Sequence, residues 1–472
     1  MSSTSKARQR VLSLLDTNSF VEIGALVRAR ATNFNMTAAR EASDGVITGY
    51  GLIDGRLVYV YSQDAEVLGG SIGEMHARKI AALYGMAIRT GAPVIGMVDS
   101  AGIRLQEGVD ALDAFGMIYA QQAKASGVIP QICAVFGRCG GGLSLTAAMS
   151  DFTLMEKDAH LFVNAPNAVA GNQEKDNDTS AAAYKAAAGD VDFVGSEEEI
   201  LGQIRYLFRI LPSNNEDETE GECADSLNRA CPSAGSLIED PRAAMCEIAD
   251  DGLFFEKKKD HAKDMFTALA RMGGTTVGFI ANRCAALGAD GKKAEAFSRT
   301  LTAAGCKKAS QFVRFCDAFE IPIVSMTNVT GFSSAKEDEN AVAAAAADLT
   351  FAFAGATVPR INVITGRAGG SAYAVMNSKT LGADLTIAYA NASVGMMEGK
   401  IAARILCAGT PEEIAKTAKE YDALQNSIEA AASRGSIDQV IAPEDVRKYL
   451  IGAVEVLYSK RELLPARKHA SL

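Results

Sequence analysis

Two short segments could do chemistry without any reactive side chain: GRCGGG at 137–142 and GRAGGS at 366–371. They lie 229 residues apart, and the same offset carries Pro93 to Pro322, Met97 to Met326, Gly102 to Gly331 and Pro130 to Pro359, with Gly49 to Gly278 further upstream. Prolines and glycines matched at one fixed offset indicate two copies of one domain, each with a glycine loop at the same place. A short apolar run containing proline precedes each loop, IPQICAVF (129–136) and VPRINVIT (358–365), and reads as a buried strand. A helical pattern rich in Ala, Leu and Met follows each, LSLTAAM and AYAVMNS. Strand, glycine loop and helix start together present backbone N–H groups. Glycine permits close approach and positive φ, and the first helical turn leaves N–H groups unpaired in a field that favours negative charge. An oxyanion forming there would be stabilised.

Other readings of these loops are weaker. A single glycine loop after a strand is often only a tight turn. A nucleotide P-loop needs lysine where Leu143 stands, and neither loop contains GxGxxG. Ser371 is not framed by the GxSxG elbow of a nucleophilic serine.

The elements that must position the loops follow from the rest of the chain. At 472 residues it suits two domains rather than one core. The net charge of −10 argues against nucleic acid as a partner. The start, MSSTSKARQRV, lacks a signal-peptide core, and the most apolar stretch, 341–358, contains Asp348 and reads as a buried helix with its following turn. Nine scattered cysteines without CxxC indicate neither a zinc site nor a redox motif; they suit apolar filler in a reducing, cytoplasmic setting. Residues 6–16 read as an amphipathic helix, 46–64 as a hairpin turning at Asp54-Gly55, 69–91 as a glycine turn feeding a helix, and 93–100 as a strand. The polar loop DSAGIRLQEG (99–108) leaves the end of that strand, where α/β folds gather ligands. A helix over 109–126 leads to the first glycine loop.

Between Pro212 and Gly235 the sequence turns acidic and loses large apolar groups, which marks a linker over 212–235 between domains at 1–211 and 236–472. The second half repeats the order with a strand TVGFIANR, a helix over about 294–319, a strand IPIVSMTN, a loop VTGFSS and the second glycine loop; 410–460 reads as a charged helical tail. Repeated β-α units in both halves place the chain in the α/β class.

These residues carry a resemblance. YSQDAEVLGGSIGEMHARKI, GAPVIGMVDSAGIRLQEGV, SGVIPQICAVFGRCGGG, SDFTLMEKDAHLFVNAP, QFVRFCDAFEIPIV and FAFAGATVPRINVITGRAGGSAYAVMNSK together resemble the carboxyltransferase subunit of biotin-dependent acyl-CoA carboxylases and decarboxylases, over nearly the whole chain up to RKHASL. The resemblance implies two tandem crotonase-like β-β-α superhelix domains. It implies two oxyanion holes made by backbone N–H groups, at Gly141 with Gly142 and at Ser371 with Ala372, and substrate contacts at Gly102, Gly140, Gly370, Tyr373 and Ala374. It further implies an acyl-CoA substrate, biotin as cofactor, no metal, and a homo-hexamer built as a dimer of trimers. No biotin-attachment MKM motif and no ATP-grasp region are found, so biotin is expected on a separate carrier protein, with a biotin carboxylase or a membrane sodium-pump subunit as further partner.

The sequence departs from the family at Ser371, where glycine is usual, at Ala374, where an acidic residue is common, and at Met396, in place of a glycine. A loop after TGF and the insert after LFVNAPNAV are shortened. The departures lean toward decarboxylation over acetyl- or propionyl-CoA carboxylation. Two other classes stay open. A crotonase-type hydratase or thioesterase would need an acid near the first loop, for which Glu107 is the candidate; a non-catalytic scaffold would have lost the loops, whereas Gly141, Gly142 and Gly370 are present. His76, alone on a helix, suits a structural role.

Overall fold

The computed structural model of the chain describes residues 5–32, 34, 43–168, 173, 175, 177–217, 221–288 and 290–464. Residues 218–220 of the expected linker and the closing RKHASL lie outside the described residues. The chain divides into two compact units, Met1–Glu218 with Lys258–His261, and Thr219–Lys257 with Ala262–Leu472. The expected linker is anchored at both ends. Asn214 donates its side-chain N–H to the Gly91 carbonyl in the first unit at 2.8 Å, and Cys231 is buried in the second, its amide bonded to the Glu444 carbonyl at 2.8 Å.

The first unit is built on one sheet of β1 (Val21–Ile23), β2 (Val46–Ile53), β3 (Arg56–Gln63), β4 (Val94–Ser100), β5 (Gln131–Gly140), β6 (Phe152–Glu156), β7 (His160–Phe162) and β8 (Phe193–Gly195). Their order is β1-β2-β3-β4-β5-β6-β8, with β7 paired to the end of β5. The β2–β3 hairpin turns at Asp54 and Gly55, whose φ values of 49° and 78° are the two positive angles that a two-residue turn needs to match strand twist. From β3 onward neighbouring strands run parallel. Such strands are covered on both faces, which is why VIGMVDS and QICAVF are nearly continuous apolar runs. α1 (Lys6–Leu14) precedes β1, and the crossovers pass through α2 (Glu74–Thr90), α3 (Val109–Ala125) and α4 (Leu143–Ala148). Val94, Val98, Val135, Ile80, Leu83 and Ile118 fill the core beneath them.

The second unit repeats the plan with β9 (Phe254–Glu256), β10 (Met265–Met272), β11 (Thr275–Asn282), β12 (Ile323–Val329), β13 (Arg360–Gly369), β14 (Leu385–Tyr389), β15 (Ser393–Gly395) and β16 (Gln439–Ile441), in the order β16-β14-β13-β12-β11-β10-β9, with β15 on the end of β13. Its helices include α5 (Ala303–Ala318), α6 (Val342–Gly355), α7 (Gly370–Val375), α8 (Gly399–Leu406), α9 (Pro411–Tyr421) and α10 (Val446–Leu457). The 229 offset holds for β4 to β12, β5 to β13 and the first residues of α2 and α5. It fails upstream. Gly278 pairs with Ile323 as Tyr59 pairs with Val94, so the hairpins are related by 278 − 59 = 219. Gly49 and Gly278 are therefore not equivalent: one lies on the first strand of its hairpin, the other on the second.

The missing ten residues (229 − 219) are an insertion between β11 and α5. It holds two short strands, Ala285–Leu287 and Lys293–Ala296, so the helix expected from about 294 begins only at Ala303. Thr302 caps that helix by accepting the Gly305 amide at 3.0 Å. The C-terminal tail is not wholly helical either: Gln439–Ile441 adds an edge strand parallel to β14. The 341–358 stretch is α6 and its following turn, and among the described residues no helix is long and apolar enough to cross a membrane. Cys133 and Cys306 lie in apolar surroundings that push their thiols up to about 12, so they pack as small apolar groups.

α10 is tied down by Arg447, which is fully buried. Its guanidinium donates to Asp250 at 2.6 Å, to the Ile248 carbonyl at 2.5 Å and to the Ser226 carbonyl at 3.2 Å. Asp250 also accepts the Gly273 and Gly274 amides at the β10–β11 turn, at 2.9 and 2.8 Å. Arg447→Met leaves Asp250 buried without its cation and is expected to cost about 3–5 kcal/mol. Urea unfolding measures this, and a loss below about 1 kcal/mol, the surface-pair range, would contradict the role given to this pair.

Candidate active site

Each unit carries one glycine loop, and both loops are shaped by the same device. In the first unit the β4–β5 ladder runs in register to Val98–Val135 and then shifts, so that Ser100 faces Cys139. In the second it shifts at the corresponding residues, and Val329 faces Ala368. The slack is taken up by a polar side chain lying where a glycine has no Cβ. A Cβ on Gly137 would stand 2.0 Å from Asp99 Oδ1, and one on Gly366 would stand 2.5 Å from Asn328 Oδ1. The Asn328 side chain also accepts the Arg367 amide at 3.0 Å, and its own backbone amide donates to Asn282 Oδ1 at 2.8 Å. Asp99 and Asn328 were not singled out in the sequence. Their signal is that they share the offset, 99 + 229 = 328.

Beyond the shift the strand ends in a left-handed glycine, Gly141 at φ 60° and Gly370 at φ 58°, and a short helix follows at once. Among the described residues nothing lies within 4 Å of the Cβ position of Gly141, and at Gly370 only the Met396 carbonyl does, at 3.5 Å. Both loops thus present open backbone that a flat ligand group can approach.

In the first loop one of the two expected N–H groups is already engaged within the sheet. The Gly141 amide is engaged by the Phe162 carbonyl of β7 at 2.9 Å, so Gly141 contributes the turn and not the N–H. Gly142 caps α4 at φ −57° and Leu143 is its first residue. These are the positions whose N–H groups a helix leaves unpaired. The Gly142 peptide is steadied by Tyr119, whose hydroxyl donates to its carbonyl at 2.6 Å. In the second loop Ser371 and Ala372 lie in the first turn of α7 and correspond to Gly142 and Leu143 at the same offset. Ser371 and Ala374 are exposed; Tyr373 is half-buried, and burial pushes its hydroxyl up.

Gly140 is buried, and a Cβ there would stand 2.4 Å from the Phe162 ring. Gly102, at φ 95°, lies beside the first loop, with its Cβ position 3.6 Å from the Gly140 carbonyl. Gly102 also accepts the Ile72 amide at 2.8 Å. The structure thus gathers Gly102, Gly140, Gly141 and Gly142 in the first unit, and Gly370 to Ala374 in the second.

Glu107 is not free to act as a base. It is buried; Oε1 accepts Arg104 at 2.9 Å, and Oε2 caps α2 by accepting the Glu74 amide at 2.7 Å. Arg104, itself buried, also reaches Asp44 at 2.7 Å and the Ser71 carbonyl at 2.6 Å. This cluster fastens the 71–74 turn to the 102–107 loop. His76 belongs to the same buried layer. Its Nδ1 bonds the Asp44 carbonyl at 2.9 Å and its Nε2 meets Gln63 at 3.2 Å. No group of three or more His, Cys, Asp or Glu side chains that could hold a metal occurs among the described residues.

Each unit is a parallel β-α fold that ends a central strand in an open backbone loop, the plan expected of a crotonase-like carboxyltransferase. The comparisons agree. The carboxyl transferase domain matches residues 4–472. The propionyl-CoA carboxylase beta chain of Roseobacter denitrificans is 38% identical over 491 residues, 99% of this chain and 93% of that one. The methylmalonyl-CoA decarboxylase subunit alpha of Veillonella parvula is 37% identical, over 99% and 92%. The solved transcarboxylase 12S structure, described as a hexamer with methylmalonyl-coenzyme A and methylmalonic acid bound, superposes with a TM-score of 0.91 at 34% identity, covering 98% of this chain and 92% of that one. The chain belongs to the carboxyl transferase family, the biotin-dependent enzymes that act on acyl-CoA.

His76 gives a pH test of the layer behind the first loop. Burial, with Arg104 and Lys79 nearby, lowers its pKa to about 3, against about 6.5 when unfolded. Unfolding therefore takes up a proton between those values. The contribution is complete above pH 6.5 and is lost as pH falls toward 3, at about 1.4 kcal/mol per pH unit. Urea unfolding at pH 5.5 and 4.5 is expected to show that slope in the wild type and to lose it in His76→Gln. Equal slopes would mean that His76 is not held neutral.

Proposed function

We propose that the two glycine loops divide the labour of one reaction: transfer of a carboxyl group between the α-carbon of an acyl-CoA and biotin borne on a separate carrier protein. The observation that carries this reading is the duplication of the left-handed glycine followed by a short helix, with open space where Cβ atoms would stand. Carboxyl transfer develops negative charge on two oxygens, the thioester oxygen of the enolate and the ureido oxygen of biotin. Two loops match two oxygens. The Gly142 and Leu143 amides bind the thioester oxygen, and the Ser371 and Ala372 amides bind the ureido oxygen. One such donor is typically worth about 3–4 kcal/mol of barrier.

Both sites fit a planar carbonyl, because Gly141 and Gly370 keep side chains out of its path. When bound, biotin supplies the ring nitrogen that carries the carboxyl group and exchanges a proton, so the chain need not supply a base. This accords with Glu107 and His76 both being engaged in the fold. Gly102 and Gly140 line the acyl side; Gly370, Tyr373 and Ala374 line the biotin side. Ala374 and Met396, both exposed, offer small and apolar surface there. Like the transcarboxylase 12S core, the chain assembles as a homo-hexamer, and its partners are the biotin carrier and either a biotin carboxylase or a membrane subunit.

Gly142→Val tests the first loop. Its φ is unstrained for valine, but a Cβ would stand 2.8 Å from the Tyr119 hydroxyl and 3.3 Å from the Phe115 ring, displacing the peptide. Transfer is expected to fall by about 10²-fold or more, with circular dichroism and oligomer size unchanged. Full activity in a folded variant would reduce the loop to a turn. Direction is tested by incubating the protein with free biotin and malonyl-, methylmalonyl- or glutaconyl-CoA. Biotin-dependent loss of the carboxyl group is expected of a decarboxylase subunit. Inactivity on all three, with carboxylation of acetyl- or propionyl-CoA from an added carboxybiotin carrier, assigns a carboxylase.

A further inference from the structure

Past α9 the backbone opens into a π-helical turn at Asp422–Asn426 before Ser427 starts the next helix. Turns of this kind are uncommon and recur at functional positions. Here the turn presents two polar side chains, four residues apart, to the segment that follows β15. Asn426 is buried at 3% exposure. Its Nδ2 donates to the Met397 carbonyl at 2.9 Å and to Asp422 Oδ1 at 2.6 Å. Asp422 Oδ1 in turn accepts the Gly399 amide at 2.9 Å, where α8 begins.

The segment is cut to fit these two groups. A Cβ on Gly395 would stand 1.7 Å from Asn426 Oδ1, and one on Gly399 would stand 2.5 Å from Asp422 Oδ2 and 2.3 Å from the Ala418 carbonyl. Neither glycine has a positive φ, so close approach, not backbone conformation, is what requires glycine at both. The fixed segment reaches the second glycine loop in two ways. β15 forms the outer rung of β13, with Arg367, Ala368 and Gly369 opposite Ser393, Val394 and Gly395. The Met396 carbonyl faces the Cβ position of Gly370.

We propose that Asp422 and Asn426 are positioning residues for the second glycine loop. They clamp both ends of Gly395–Gly399 and thereby fix the height of Gly369–Ala372, on which the biotin-side half of the reaction depends. The kinetic part of the proposal rests on the reading given above; the structural part does not.

The test uses the full-length protein and three variants: Asn426→Ala, Gly395→Ala, and both together. Hydrogen–deuterium exchange followed by mass spectrometry reads the clamp without any assumption about the reaction. In Asn426→Ala, peptides covering 393–399 and 366–370 are both expected to lose protection, with 137–142 unchanged. Loosening of 393–399 alone would overturn the proposal, because the clamp would then not reach the loop. The variants also separate contact from general damage. Gly395→Ala collides with Asn426 Oδ1, whereas the shorter side chain of Asn426→Ala leaves room for the added methyl. The double variant is therefore expected to be no worse than Asn426→Ala; additive losses would overturn the contact.

In turnover, the Asn426→Ala variant is expected to lose about 10–10²-fold in kcat, the range of a sub-ångström to 1 Å misplacement. The KM for acyl-CoA is expected to stay within about two-fold. A rise in acyl-CoA KM at unchanged kcat would place the effect on the wrong substrate. If the wild type turns over no acyl-CoA with biotin, the functional reading fails while the exchange result still decides the clamp.

Discussion

Everything at the two loops depends on a close contact in the middle of each sheet, a polar side chain lying against a glycine of the neighbouring strand. Parallel strands in register would carry β5 and β13 straight past their partners. Asp99 under Gly137 and Asn328 under Gly366 prevent this, since neither contact leaves room for a Cβ. The ladder slips there in both units. The slip delivers the strand end to a left-handed glycine, and the helix that follows begins with its N–H groups facing outward. A larger residue at 137 or 366 would force either the partner strand or the side chain away. The loop would then lose its aim, although the sheet could persist.

The two units solve the same problem with different supports. The first loop is backed by β7, whose Phe162 carbonyl takes the Gly141 amide and whose ring fills the space left by Gly140. The buried Arg104, Asp44 and Glu107 hold the neighbouring turns. The second loop is backed by β15 and by the turn at 422–426. The first unit uses a buried Arg104–Asp44–Glu107 cluster and the second an Asp422–Asn426 pair, although the backbone paths of the two loops match. Glu107 and His76 already have their hydrogen bonds within the fold, and burial keeps His76 neutral.

Much of this was legible in the residues. The hairpin at Asp54-Gly55, the parallel strands, the glycine loops and their duplication all follow from local rules, because turn chemistry and apolar runs act over a few residues. The 229 offset located β4 with β12 and β5 with β13 correctly. It misplaced Gly49, since the ten-residue insertion before α5 carries no proline or glycine match to reveal it. The same insertion supplies charged residues at helix-like spacing, yet Lys293–Ala296 pairs as a strand because Ala285–Leu287 offers it a partner. The edge strand at 439–441 was likewise hidden in a charged tail, its pairing to β14 set by the sheet and not by its own three residues.

By itself, then, the sequence determined that there are two copies, that each presents a glycine loop between strand and helix, and that the whole belongs with the acyl-CoA carboxyltransferases. Those are properties of residue type and spacing. Which amides point outward was decided only by tertiary structure. Gly141 and Gly142 are indistinguishable as letters, but β7 folds back from residue 162 to claim one N–H and leaves the other. Asn426 lies 56 residues from Gly370 (426 − 370) and nothing in its neighbours marks it; only the packing of Gly395 against its side chain joins it to the loop. Contacts of that range depend on where the sheet puts each strand end, and spacing along the chain does not encode that.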